Sequence, residues 1–263
     1  MIMRYRIRSL LVVICFAFLS NAYAQSAKEL SDQAHKYYKQ GNYQQAITLL
    51  QKSINMVPAA ESYYGLGLCY IQTGDLAKAT SAFHTAARKD KYFVKALYAL
   101  AQIYSSTKYG HFNLDAAIDV LVKALAIDPN HAAAQFKLGE IYFIKGTVGT
   151  NYKQMQAYQK QAETALRRAI KLDPQNADAH SYLGQLYGTW GKRSLAILQF
   201  QKAVKLNPKH NEAWFYLGKD YYRMGMLEQS IQALQKAQLS QYAHIRQAAT
   251  NLLAKVRAAR ANQ

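Results

Sequence analysis

The chain has 263 residues, 51% of them hydrophobic and 18% charged, which is enough apolar material for a packed core and too much for an intrinsically disordered chain. Thirty-three Lys and Arg stand against fifteen Asp and Glu, a formal net charge of +18, which biases the protein toward anionic neighbours without naming one. Two cysteines and four prolines exclude a disulfide framework and a Pro-rich linker, while twenty-one tyrosines ask for an explanation.

The first predicted element is residues 1–24. It carries Arg4, Arg6 and Arg8, an apolar run from Leu10 to Leu19, and Ala22-Tyr23-Ala24 ahead of Gln25. A basic start, an apolar middle and small residues at the end are the layout of a secretory signal peptide, which predicts cleavage after Ala24 and export to the periplasm or beyond. Ten apolar residues are too few to cross a hydrocarbon layer of about 30 Å as a helix, which argues against a retained transmembrane anchor. Cys15 follows Ile14, where a lipoprotein signal needs a small residue, which argues against lipidation. Cleavage would remove three arginines and no acid, leaving a net +15. It would also leave a single cysteine, Cys69, set between Leu68 and Tyr70; the thiol is expected to be buried and structural rather than reactive.

From about Ala27 to Tyr242 the chain repeats. Tyr37, Tyr70, Tyr104, Tyr142, Tyr187 and Tyr221 are 33, 34, 38, 45 and 34 residues apart, each preceded three residues earlier by Ala34, Gly67, Ala101, Gly139, Gly184 or Gly218. A second series follows: Ala46, Ala79, Ala117, Ala162, Ala196 and Ser230. Four residues after each comes a large apolar side chain (Leu50, Phe83, Leu121, Leu166, Phe200, Leu234), and three further on a small one. Spacings of three and four place residues on one helical face, so each unit is predicted to be two amphipathic helices. Gly41, Gly74, Gly191 and Gly225 lie between the halves, where a tight turn can use positive φ, and Pro58, Pro129, Pro174 and Pro208 follow the second half, where a helix must stop.

With these small, large, glycine and proline positions the chain resembles the tetratricopeptide-repeat family, whose unit is a helix-turn-helix of about 34 residues. Six copies cover nearly the whole of the chain after residue 24, the fifth (Ala177–His210) being the most regular; the second has Lys91 and the sixth Tyr242 where proline would be expected. The resemblance implies an all-α fold, a right-handed α-solenoid of six antiparallel helix pairs with a concave inner face, over residues 25–242. Two copies are longer than the rest, which predicts longer turns between their paired helices near 105–113 and 146–160; the second becomes helix-like again from Tyr152 and is read either as a docking feature or as a tolerated insertion. After Tyr242, the stripe Ile245, Ala248, Ala249, Leu252, Leu253 and Val256 predicts a capping helix over 243–263, with a basic membrane-surface helix as the alternative.

No catalytic constellation is present. The seven histidines fall in different repeats without metal-ligand spacing, and Gly65-Leu66-Gly67 lies within a helical pattern, so neither an enzyme, a metal site nor a cofactor is expected. Binding is the expectation, and the resemblance implies that the first helix of each pair lines the inner groove. Placing that face here gives Tyr38, Tyr64, Tyr98, Phe136, Tyr182, Phe215, Tyr216, Lys219 and Tyr222 as candidates, with His35, Gln102, Lys137, Glu140, Gln185 and Arg223 as polar members. Tyrosine offers a flat apolar ring and a hydroxyl at low entropic cost, which suits a peptide groove, although several rings are expected to pack between repeats instead. Ser31, His35, Tyr64 and Leu68 stand where a chaperone-binding carboxylate clamp would need basic or amide residues, so that function is not carried over. The expected partners are peptide segments of other bacterial envelope proteins, acidic ones being favoured by the net charge, with no nucleic acid. The alternative is an anionic envelope polymer or lipid head group held by the basic surface, where Lys153, Lys160, Arg167, Arg168 and Lys171 surround only Glu163.

Overall fold

The computed structural model describes residues 2–106, 112–148 and 151–261, with side chains from Asn21 onward. Thirteen α-helices and no strand are found among them: α1 (Ile2–Lys39), α2 (Tyr43–Met56), α3 (Ala60–Thr73), α4 (Leu76–Lys89), α5 (Val94–Tyr104), α6 (Leu114–Ile127), α7 (Ala132–Val148), α8 (Tyr152–Leu172), α9 (Ala177–Thr189), α10 (Arg193–Leu206), α11 (Asn211–Arg223), α12 (Leu227–Ala237) and α13 (Ala243–Ala261). They fall into two compact units, residues 1–129 and 130–263.

In the first unit α1 pairs with α2, α3 with α4 and α5 with α6, and the pairs stack through α2 on α3 and α4 on α5. In the second, α7–α8, α9–α10 and α11–α12 pair and stack in the same way, and α13 lies against α12 and α11. The periodic small residues are the reason the helices can come so close. Ala46, Ala79, Ala117, Ala162, Ala196 and Ser230 are wholly buried, and the large residues four positions on fill the space opposite the partner helix's small residue. A Cβ on Gly184 would stand 2.7 Å from the Phe200 ring, and one on Gly218 would stand 2.7 Å from Leu234. Those side chains occupy the volume that the missing methyls leave, so burial of a large ring and close helix approach are the same event.

Turn chemistry does the rest. Gly74 and Gly191 have φ of 83° and 71°, in the left-handed region where the chain reverses between paired helices. Asn176 caps α9 by accepting the Ala179 N–H at 2.8 Å, and His210 caps α11 through Nδ1, which accepts the Ala213 N–H at 3.2 Å. The repeating tyrosines bond back to the preceding pair: Tyr104 with His84 Nε2 at 2.7 Å, Tyr187 with an Arg167 guanidinium nitrogen at 2.7 Å, Tyr221 with Gln201 Nε2 at 2.8 Å. In all three the partner lies five residues beyond the buried alanine of the preceding second helix.

The longer copies resolve differently. In the third, α5 ends at Tyr104 and α6 begins at Leu114, with the Asn113 N–H bonded to the Tyr104 carbonyl at 2.8 Å; residues 107–111 lie outside the described residues. In the fourth, α7 continues to Val148 and α8 starts at Tyr152, where the helical pattern was expected to resume; residues 149–150 lie outside the described residues. Side chains stitch this extension together. Gln159 donates to the Gly146 carbonyl at 2.9 Å and accepts from Trp190 Nε1 at 2.7 Å, and Tyr142 stacks on Tyr158 with ring centres 6.0 Å apart.

At the other end, the expected cleavage point after Ala24 falls inside α1. Residues 21–26 are exposed and burial begins at Ala27; the side chains of the preceding apolar run lie outside the described residues. No helix among the described residues is long and apolar enough to cross a membrane.

Candidate functional site

All nine candidate side chains are half-buried, neither core nor free surface. Three belong to the first unit. Tyr38 meets Tyr43 edge-on at 5.5 Å and accepts a 3.4 Å hydrogen bond from Gln72, while Tyr64 lies between Phe83 and Phe93 at 5.6 and 5.4 Å; Tyr98 is on α5. Six belong to the second unit, on α7, α9 and α11. There the structure separates two sets. Phe215 and Tyr222 pack against the cluster of Leu227, Leu234, Leu253 and Val256, which α12 and α13 build together. Phe136, Tyr182 and Tyr216 pack against the core shared by α8 to α11, Tyr216 lying flat on Phe200 at 5.8 Å.

The first helices of the second unit touch directly, α7 with α9 and α9 with α11, and Tyr182 stands at that seam. Its ring meets Phe136 at 6.0 Å and Phe143 at 5.4 Å, and its hydroxyl donates to Glu140 Oε1 at 3.1 Å. Glu140 also takes Lys137 through its other oxygen. One turn before Tyr182, Asp178 Oδ1 stands 3.1 Å from His210 Nε2 without the alignment of a hydrogen bond, while Nδ1 of that imidazole accepts the Ala213 N–H. Glu212 accepts from Gln185 at 3.4 Å. Lys219 lies over the Tyr216 ring, 5.7 Å from its centre.

The electrostatics follow from this geometry. Burial, and then Glu140, Glu212 and Asp178, push the Tyr182 hydroxyl far above the usual tyrosine range, so it remains a donor. The His210 imidazole, 3.1 Å away, holds Asp178 below the ordinary carboxylate range, keeping it anionic. Burial pulls Lys219 down, with Arg223 adding to the effect. Asp178, Glu212, Phe143 and His210 were not among the residues expected from the sequence. A signal for two of them exists: Asp178 and Glu212 lie four residues before Tyr182 and Tyr216, one helical turn away on the same face.

Other chemistry recedes. Cys69 is buried and its thiol is pushed up to about 11 by burial, which makes it a packing residue. No group of three or more His, Cys, Asp and Glu side chains able to hold a metal ion occurs among the described residues. In the basic run of α8, Arg167 is engaged by Glu163 at 3.0 Å and by Tyr187, and Arg168 by Asn130 at 2.6 Å.

Comparison with known proteins places this architecture. A tetratricopeptide-repeat model matches residues 31–92 and 191–248, and a second model of the same repeat matches 113–146 and 159–191, together well over half of the chain. Anaphase-promoting complex subunit 3 of Schizosaccharomyces pombe is 24% identical over 169 residues, 64% of this chain but 23% of that protein. The chain spans only about a fifth of the length of the curated relatives it matches. Among solved structures, the MamA protein is 26% identical with a TM-score of 0.56, covering 68% of this chain and 89% of its own. PilF of Pseudomonas aeruginosa shares the fold at 12% identity and a TM-score of 0.67, covering 82% of this chain and 91% of its own.

Proposed function

Since this chain belongs to the tetratricopeptide-repeat family, whose members are in general non-enzymatic protein–protein interaction scaffolds, we propose that it is a scaffold of the bacterial cell envelope that holds a peptide segment of a partner protein on the first-helix face of residues 130–263. The observation that carries the reading is the seam around Tyr182. Half-buried rings from α7, α9 and α11 stand side by side with hydroxyl, carboxylate and amide groups that are only partly used within the chain, and such a mixture suits an extended peptide, which needs both apolar area and hydrogen-bond partners. Rings already held by their neighbours lose little entropy on binding, which favours affinity without rearrangement.

The envelope setting rests on the basic-apolar-small layout of residues 1–24 and on the position of the expected cleavage point among exposed residues ahead of Ala27, so removal would uncover no buried side chain of Asn21–Ala24. Two measurements test the proposal. N-terminal sequencing of protein recovered from the periplasm should begin at Gln25. Photo-crosslinking from position 182 in envelope extract should capture a partner that is lost in a Tyr182→Ala/Tyr216→Ala variant; an unchanged set of captured proteins would refute the assigned face.

A further inference from the structure

We infer that the face around Tyr182 selects a cationic side chain, Lys or Arg, carried by an extended segment of the partner. This rests on the docking reading above and adds to it the chemistry of the guest. Residues 130–263 contain nineteen Lys and Arg against seven Asp and Glu, so an arbitrary patch of this unit is expected to be positive. Three of the seven acids nevertheless converge on one ring. Glu140 on α7 accepts from the Tyr182 hydroxyl at 3.1 Å, Asp178 lies one helical turn before Tyr182 on the same face of α9, and Glu212 on α11 accepts from Gln185 of α9 at 3.4 Å.

The groups that contact these carboxylates leave most of the negative charge in place. Glu140 takes one hydrogen bond from the neutral Tyr182 hydroxyl and pairs with Lys137; Glu212 takes one long bond from the Gln185 amide; Asp178 stands 3.1 Å from Nε2 of an imidazole whose Nδ1 is committed to a helix cap, without an aligned hydrogen bond from it. Beside them stand the Phe136 and Phe143 rings, 6.0 and 5.4 Å from the ring of Tyr182. A carboxylate edge next to aromatic faces suits an ammonium or guanidinium, whose charge meets the carboxylates while its alkyl stem lies on the rings. An anionic guest would meet three carboxylates, of which Glu140 alone is held in an ion pair with a lysine, Lys137. The local preference thus opposes the sign that the net charge of the whole chain suggests.

A phage-displayed library of random decapeptides, panned on the full chain, tests this. Clones enriched on the wild-type protein and not on Tyr182→Ala should be enriched in Lys and Arg. A synthetic peptide from such a clone should lose about tenfold in affinity when its basic residue is replaced by Gln. The same loss should follow Glu140→Gln/Glu212→Gln, near-isosteric changes whose folding is checked by circular-dichroism melting; if the double variant melts early, Glu212→Gln alone, at an exposed position, repeats the comparison. Tyr182-dependent clones that are neutral or acidic would overturn the charge preference while leaving the docking face standing. Recovery of the same clones on wild type and Tyr182→Ala, or no enrichment at all, would overturn the docking face and the preference together.

Discussion

The Tyr182 hydroxyl on α9 donates to Glu140 Oε1 on α7 at 3.1 Å, so a first helix of one pair is bonded to the first helix of the next. Replacing Tyr182 with Phe removes that bond at neutral pH for about 1 kcal/mol. Because burial and Glu140 raise its folded pKa above the ordinary value, the stability it supplies is complete below about pH 10 and is lost as pH climbs beyond. Urea unfolding at pH 8 and pH 11 should show that the alkaline loss is shallower in Tyr182→Phe than in wild type. Equal losses would mean that this hydroxyl ionises freely.

The tyrosine ties between pairs predict a second effect. Tyr221 accepts from Gln201 at 2.8 Å across the α10–α11 junction, and Tyr221→Phe should cost about 1 kcal/mol and lower Tm by roughly 2–4 °C in calorimetry. Gln201→Ala should cost a similar amount, and the double change should cost less than the sum, since both remove the same bond.

Gly184 and Gly188 lie one turn apart on α9 yet should respond differently. A methyl at 184 would meet Phe200 at 2.7 Å, whereas one at 188 would meet only Asp220 Oδ2 at 3.4 Å. Gly184→Ala is expected to destabilise by about 1–3 kcal/mol through overpacking, and Gly188→Ala to be near neutral, helped by the better helix propensity of alanine. Chemical denaturation of the two single variants compares them directly.

Cys69 should be silent in the folded protein. Buried and with its thiol raised to about 11, it should resist a thiol reagent at pH 8 in a Cys15→Ser background and react fully once guanidinium unfolds the chain. Rapid labelling without denaturant would show that the α1–α4 core opens easily.

Much of this architecture is local and therefore readable along the chain. The alternation of Gly184, Tyr187, Ala196 and Phe200 encodes two amphipathic helices because contacts three and four residues apart need no knowledge of the rest of the fold, and Gly191 and Pro174 mark the breaks for steric reasons of their own. The aromatic candidates were legible as a face for the same reason. The tertiary structure decided which rings that face keeps. Phe215 and Tyr222 went to the cluster built by α12 and α13, the latter beginning 21 residues beyond Tyr222, and Gln159 on α8 ties the Gly146 carbonyl of α7 to Trp190 at the end of α9. It also decided the sign of the local field. Glu140, Asp178 and Glu212 are scattered over 73 positions of a basic chain, and only the stacking of α7, α9 and α11 brings them to one seam, since electrostatic interaction depends on distance in space and not on separation along the chain.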